Sequence, residues 1–548
     1  MKEPQLLSGN EAVALAARDA GVALGCGYPG TPSTEILEAF SRLGGKAQWC
    51  PNEKVALEVA LGAAFADNAA AIVTMKHVGL NVAADPLFTA AYTGVSGALV
   101  VAVADDPGLA SSQNEQDSRR YAVAAGLPML EPSDSQEAYD LTLKALEISA
   151  RWKLPVLLRL TTRVCHSKTI LSRRISPQPP GPIGFRRDIP SRVMIPAYAR
   201  LAHRKLRAKL HELENLAEGA GGGEGAPELP PLTSPGKLLD WREGEGALGI
   251  ITSGISFHHA CEAAPQASIM KLNLTYPLAL GRIRDFAQTV GRAIVIEEGD
   301  PYLAEAIRAA GIAVEGKGEP YRFGELNVSR VRRILAGDNS PEPVLPRGKA
   351  PQLCQGCPHR AVFATLAKLE CIVAGDIGCY TLGVLPPFEA MDSCVCMGAS
   401  IGVGLGLRQV LPEEQAKKVV SVIGDSTLVH SGITGLVEMA YNPPPTGHVV
   451  IVLDNATTAM TGLQEHPGTG RRLDHAPTRQ LVIEEVARAI GLDEVHVIDP
   501  TDKPDDFAGL VRDSLAGGKL VLIIARRPCI LAAPRIRQFQ KPKPDKPE

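Results

Sequence analysis

Two apolar runs, Val419 to Ile423 and Val449 to Leu453, each close on a short polar motif, Gly424-Asp425-Ser426 and Asp454-Asn455. Runs of this length and β-branched content read as buried strands, and Ser431 to Tyr441 between them has helical character, with Gly432 and Gly435 permitting close packing. The whole is a β-α-β unit with parallel strands. Both strands of such a unit end on one edge of the sheet, so Asp425 and Asn455 are expected to converge on one cation despite their separation in sequence. Magnesium suits the arrangement, because it takes few protein oxygens and completes its octahedron with phosphate oxygens and water. The pair of motifs therefore reads as a magnesium diphosphate site, although a Gly-Asp at a strand end is common in α/β proteins.

At 548 residues the chain is expected to hold three or four domains of roughly 150 residues each. A net charge of −3 and a pI near 6.5 give no electrostatic case for nucleic acid. No uninterrupted apolar run approaches the roughly 20 residues of a membrane span. Met1 to Asn10 lacks a basic start followed by an apolar core, so no signal peptide is expected and the chain reads as soluble and cytoplasmic. Eleven cysteines in a chain of that kind point to thiols, metal ligation or core packing instead of a disulfide framework. Aromatic residues make up only 4%, which suits closely packed helix-on-sheet layers better than a β-sandwich.

Residues 1–165 alternate helical runs (Asn10 to Asp19, Glu53 to Ala66, Ser135 to Ala150) with strand-like ones (Val22 to Gly25, Ala70 to Thr74, Ala98 to Ala104, Val156 to Leu160), the pattern of a doubly wound parallel sheet. Residues 166–245 break into Pro-rich and Gly-rich stretches around a basic helical piece, Ala197 to Ala217. They read as an interdomain connection whose helix either shows a solvated face or docks a partner. A middle α/β domain follows over 246–345, with strands expected at Leu248 to Thr252, Ser268 to Leu272 and Ala293 to Ile296. A third α/β domain over 346–530 carries the Asp425 and Asn455 motifs, and the Lys/Pro-rich end, 531–548, reads as a disordered tail. Cys354 and Cys357 form a C-x-x-C, a spacing that by itself suits zinc or thiol exchange as well as an iron-sulfur cluster.

Gly-Asp-Ser followed by Asp-Asn resembles the thiamine diphosphate motif, usually Gly-Asp-Gly and then Asn-Asn, with Ser426 and Asp454 as departures at positions that do not bind the metal. More widely, the chain resembles the thiamine-dependent large subunit of indolepyruvate ferredoxin oxidoreductases, within the 2-oxoacid ferredoxin oxidoreductases. The matching stretches run in the family's order over nearly the whole chain: Gly27 to Glu35 (GYPGTPSTE), Asn52-Glu53-Lys54, Met75 to Asn81 (MKHVGLN), Ser111 to Arg120 (SSQNEQDSRR), Cys354 to Arg360 (CQGCPHR) and Gly375 to Cys379 (GDIGC).

The resemblance implies an α/β multidomain fold with two thiamine diphosphate-binding doubly wound parallel-sheet domains, one for the pyrimidine and one for the diphosphate, plus the middle domain. In the family the cofactor lies between the first two. It implies that Asp425, Asn455 and the Thr457 carbonyl hold Mg²⁺, that Gly424, Ser426, Asp376 and Gly378 contact the cofactor, and that Glu53 meets the aminopyrimidine ring. Taken alone, a glutamate in a first helical turn merely complements the helix dipole. It further implies one 4Fe-4S cluster on Cys354, Cys357, Cys379 and Cys529, with Cys371, Cys394 and Cys396 as competitors. Thr31 either faces substrate or stabilises its turn, and His77 either serves acid-base steps or is a hydrogen-bonded structural histidine. Arg119 and Arg120 either fork a carboxylate or are surface charges.

The activity so implied is oxidative decarboxylation of an aryl 2-oxo acid with coenzyme A. Electrons would pass to ferredoxin or another electron-carrier subunit, in a hetero-oligomer of two copies of this chain with a separate small catalytic subunit. No ferredoxin-like Cys-x-x-Cys repeat follows Pro528, unlike many large subunits of the family, so electron exit is expected through a partner. Two other readings stay open at this level. One is a non-oxidative thiamine decarboxylase or carboligase with structural cysteines, and the other is a scaffold subunit with a vestigial cofactor site.

Overall fold

The computed structural model describes residues 4–173, 182–219, 232–342 and 351–540, and these divide into two compact units, Met1–Val344 and Leu345–Glu548. The chain is of mixed α/β class with two large, mainly parallel sheets, as the alternation of helical and strand-like runs predicts. Among the described residues, no helix is long and apolar enough to cross a membrane.

The first unit is built on a seven-stranded sheet in the order Leu274–Tyr276, Met129–Leu130, Val156–Thr161, Ala98–Asp105, Ala70–Lys76, Leu24–Gly27, Ala47–Trp49. All neighbours are parallel except the first pair. Every residue of Ala98–Asp105 and Val156–Thr161 is buried, because helices cover both faces of a parallel sheet and leave no polar side. Helix starts are written locally. Ser8 and Glu11 form a reciprocal capping box on Gly9–Asp19, and Asn52 accepts the Val55 N–H at 2.9 Å to open Glu53–Ala64.

The middle segment departs from the sequence-based expectation. Its own sheet runs Arg292–Ile296, Leu248–Thr252, Ser268–Leu272, Leu239–Arg242, so that it begins before residue 246. The next strand, Leu274–Tyr276, leaves that sheet and pairs antiparallel with Met129–Leu130 of the larger one. The segment is thereby joined to the larger sheet, while its own sheet packs two hydrophobic clusters, one around Phe286 and Leu303 and one around Tyr321 and Val331. The presumed connection is structured over its described residues, while most of its Pro-rich and Gly-rich stretches lie outside them. Lys168–Leu171 pairs antiparallel with Gln5–Ser8, and Pro196–Ala217 is a helix that buries Leu206, Leu210, Leu213 and Ala217 on the first core while exposing Arg204, Lys205 and Arg207. Its basic face is solvated, and its apolar stripe docks on its own chain.

The second unit holds a six-stranded, wholly parallel sheet in the order Ser393–Cys394, Ile372–Gly375, Val419–Gly424, His448–Asp454, Leu520–Arg526, Glu494–Ile498. The strands that lead into Asp425 and Asn455 are direct neighbours, Gly424 opposite Leu453. The helix between them begins with a π-turn, Leu428–Gly432, and continues as Ile433–Tyr441. The expected disordered tail is corrected over Ala533–Gln540, which is helical; Arg535 approaches Glu465 and His475, and the Phe539 ring stacks on His475. Residues 541–548 lie outside the described part.

A buried ion network joins the first sheet to the middle segment. Arg119 is fully buried; its Nη1 donates to Glu297 Oε2 at 2.7 Å, and its Nε and Nη2 fork onto Asp117. Nη2 also donates to the carbonyls of Glu298 and Asp300. Arg159 ties Asp105 to Glu131 beside it. Arg119 is thus a structural ion and not a fork waiting for substrate. Removing one partner of such a network leaves uncompensated buried charge, so Arg119→Met is expected to destabilise the protein by about 3–5 kcal/mol in thermal or denaturant unfolding. A loss below about 1 kcal/mol would contradict this account of how the middle segment is held.

Candidate active site

Four adjacent strands of the second unit deliver polar residues to one edge: Asp376 after Ile372–Gly375, Asp425 after Val419–Gly424, Asn455 after His448–Asp454 and Cys529 beyond Leu520–Arg526. The carboxyl edge of a parallel sheet is where ligands of open α/β folds bind. Asp425 is buried, with Oδ1 accepting the Ser426 N–H and Oδ2 accepting the Ala456 N–H, each at 2.9 Å. Burial opposes its ionisation, but the His466 Nε2–H dipole, 3.2 Å from Oδ2, and the Ser426 N–H outweigh it and hold the carboxyl below its usual range. Ala456 has φ +60°, a left-handed conformation uncommon for a residue with a Cβ, and its N–H is the one that reaches Asp425. Strain of this kind persists where the surroundings over-determine it, and it clusters at functional sites.

Asn455 accepts the Thr457 N–H on Oδ1 at 3.1 Å, and its Nδ2 lies 3.3 Å from His359 Nε2. Burial pushes His359 down to about 4, so its ring is a neutral acceptor for that amide. One carboxylate, one amide oxygen and one backbone carbonyl, that of Thr457, make a hard-oxygen set that fits magnesium only when phosphate oxygens complete the shell. Among the described residues, no three His, Cys, Asp or Glu side chains, cysteines included, are grouped closely enough to hold a single metal ion.

The two departures from the thiamine motif have visible uses. Ser426 Oγ accepts the Thr458 hydroxyl at 2.9 Å and so clasps the Asp425 loop to the Asn455 loop. Asp454 pairs with Arg526, its partner in register on the next strand, and Arg526 in turn pairs with Glu484. Asp376 is buried and accepts the N–H groups of Ile377, Gly398 and Ser400, so it staples two loops. Gly378 donates its N–H to Thr381 Oγ1; Gly378 and Gly424 both lie against the Tyr380 ring, where an added Cβ would stand 2.3 and 2.7 Å from Cε1.

Cys354, Cys357, Cys379 and Cys529 line a single cavity of about 80 Å³ together with His359 and Asn455. Burial and the neighbouring thiols push Cys379 up to about 11 and also raise Cys357. Thiolates that hold a cubane each bind a different iron, so they need to surround a volume and do not meet at one point. Cys371, Cys394 and Cys396, the competitors in sequence, do not line this cavity. His359 and His466 are the polar residues that sequence reasoning left without roles. His359 lies inside the CQGCPHR motif, where its neighbourhood was a signal; His466 carries none.

In the first unit, Glu53 is the first residue of its helix and is buried, with its carboxylate against Gly79. His77 opens the helix His77–Val82; it is buried, with Nε2 3.1 Å from the Asn114 carbonyl and Nδ1 without a hydrogen bond. Lys76 beside it reaches the Ser111 carbonyl at 2.8 Å, so the SSQNEQDSRR segment folds over both. Thr31 is half-buried in the Gly30 to Ser33 turn. Arg120 is half-exposed and its Nη2 pairs with Glu305 at 2.7 Å, which matches the surface-charge alternative of the sequence reading.

Residues 15–174 match the family model described as pyruvate flavodoxin/ferredoxin oxidoreductase, thiamine diP-binding, and 376–525 match that of the C-terminal thiamine pyrophosphate-binding domain of thiamine pyrophosphate enzymes. Curated relatives align over almost the full chain. Indolepyruvate oxidoreductase subunit IorA of Archaeoglobus fulgidus is 36% identical, over 98% of this chain and 88% of its own. The subunits of the same name from Methanothermobacter thermautotrophicus and Pyrococcus abyssi are each 38% identical, over 97% and 98% of this chain and 88% and 87% of theirs.

A Cβ at Gly79 would come within 2.5 Å of Glu53 Oε1 and 2.6 Å of its Cγ. Gly79→Ala is therefore expected to cost about 1–3 kcal/mol of stability through overpacking, and most of that cost should vanish in a Glu53→Ala background. Equal costs in both backgrounds, read by thermal unfolding, would show that the contact does not position Glu53.

Proposed function

Because the chain belongs to the indolepyruvate oxidoreductase IorA family of thiamine diphosphate-dependent 2-oxoacid oxidoreductase subunits, we propose that it carries out the oxidative decarboxylation of aryl 2-oxo acids of the indolepyruvate type. In balance, the 2-oxo acid and coenzyme A give acyl-coenzyme A, CO₂, one proton and two electrons, the electrons leaving one at a time to ferredoxin or a similar carrier. The observation that carries the oxidative reading is the cavity shared by Cys354, Cys357, Cys379, Cys529 and Asn455. It puts four thiols beside the loop that would hold the metal, as an internal electron acceptor requires.

Asp425, the Asn455 amide oxygen and the Thr457 carbonyl would hold Mg²⁺ and, through it, the diphosphate. Thiamine diphosphate, when bound, supplies the electron sink that makes loss of CO₂ feasible. Glu53, buried against Gly79, would hold or release a proton at the aminopyrimidine nitrogen. His77, whose Nδ1 has no hydrogen bond, offers an acceptor to a substrate or coenzyme proton, and the Thr31 hydroxyl a donor to the 2-oxo acid. Arg120 reaches a substrate carboxylate only by releasing Glu305. The four cysteines would carry a 4Fe-4S cluster. Each relative is named as one subunit of an oxidoreductase. That naming supports at least one partner subunit; the assembly we infer has two copies of this chain with an electron carrier and a separate small subunit.

With the chain co-purified alongside its partner subunits, Glu53→Gln is expected to slow coenzyme A-dependent viologen reduction by indolepyruvate by roughly 10²- to 10⁴-fold, the range for loss of a positioned acid-base group. Unchanged turnover would contradict the assignment of Glu53.

A further inference from the structure

His466 stands at the head of the short turn Pro467–Thr469, where its Nδ1 accepts the Gly468 N–H at 3.2 Å. A ring nitrogen that accepts a hydrogen bond does not carry the proton, so the proton sits on Nε2 and that atom is a donor. Nε2 is buried, 3.2 Å from Asp425 Oδ2, yet it makes no aligned hydrogen bond. Both carboxylate oxygens of Asp425 already accept backbone N–H groups, from Ser426 and Ala456. A buried N–H without an aligned acceptor is exceptional in a folded protein and marks a place where another acceptor belongs.

The ring is also held in place. Gln464 O accepts both the Thr458 N–H at 2.9 Å and the Thr457 hydroxyl at 3.2 Å, so the segment leading to His466 is pinned to the loop that carries Asn455 and Thr457. With its proton on Nε2, His466 has no lone pair to offer a metal, and the group it suits is an anionic oxygen beside one. We propose that His466 is a diphosphate-binding residue, its Nε2–H donating to a phosphoryl oxygen of the diphosphate whose cation Asp425 holds. The inference rests on the assignment of Asp425 and Asn455 to a magnesium diphosphate. It adds to that site a side-chain donor outside the motif residues.

The test is isothermal titration of thiamine diphosphate, at saturating Mg²⁺, into the chain co-purified with its partner subunits. His466→Asn keeps an oxygen to accept the Gly468 N–H but deletes the Nε2 donor, whereas His466→Gln carries an amide N–H towards the Nε2 position. The asparagine variant is expected to bind about 10- to 100-fold more weakly, the effect of one hydrogen bond to a charged group, with an unchanged Tm. The glutamine variant should recover most of that loss. Wild-type affinity in His466→Asn, with weakened binding in Asp425→Ala, would overturn the role of His466 and leave the metal assignment standing. Wild-type affinity in Asp425→Ala as well would remove the site reading and the proposal together. Weaker binding in both His466 variants, in step with a lower Tm, would also overturn it in favour of a purely turn-stabilising role.

Discussion

The hydrogen bond from the Ala456 N–H to Asp425 Oδ2 joins the ends of two neighbouring parallel strands, and the candidate active site is arranged around it. It holds Ala456 in a left-handed conformation between Asn455 and Thr457, and fixes the position of the Asp425 carboxylate. The Ser426–Thr458 clasp repeats the connection one residue further along the first loop and two further along the second. A serine in place of the usual glycine therefore strengthens the junction here, which argues against reading it as the sign of a decayed site.

The same edge explains why the cysteines gather. Cys529 N–H bonds to the Asn455 carbonyl at 2.9 Å, so the end of the fourth strand is tied to the Asn455 loop. Cys357 and Cys354 share a tight turn, with the Cys357 N–H on the Cys354 carbonyl, and Cys379 follows Gly378 at the end of another strand of the sheet. His359 links the two chemistries, lining the cysteine cavity while its Nε2 meets the Asn455 amide. Parallel strands that deliver their ends to one side make this convergence possible without any local sequence signal for it.

Much of this was legible in the sequence because it depends on local pattern. The strands around Asp425 and Asn455 and the helical run that Glu53 opens follow from apolar runs and local periodicity. What escaped was set by long-range packing. The short strand Leu274–Tyr276 cannot show a period, and its partner lies about 145 residues earlier, at Met129–Leu130. The apolar stripe of the basic helix was masked by its arginines and lysines until Leu206, Leu210 and Leu213 were seen buried. The burial of Arg119 depends on Glu297, far along the chain, and the approach of His466 to Asp425 depends on the course of the loop after Thr457. No spacing rule announces either.

The central claim is that one strand edge of the second unit carries both the diphosphate site and an electron acceptor. Low-temperature EPR of the anaerobically co-purified complex, before and after addition of indolepyruvate with Mg²⁺, thiamine diphosphate and coenzyme A, tests it most directly. The account predicts a reduced 4Fe-4S signal that requires substrate and is lost in Cys354→Ala. The same signal, undiminished in that variant, or iron-free protein that still releases CO₂ from indolepyruvate, would contradict it.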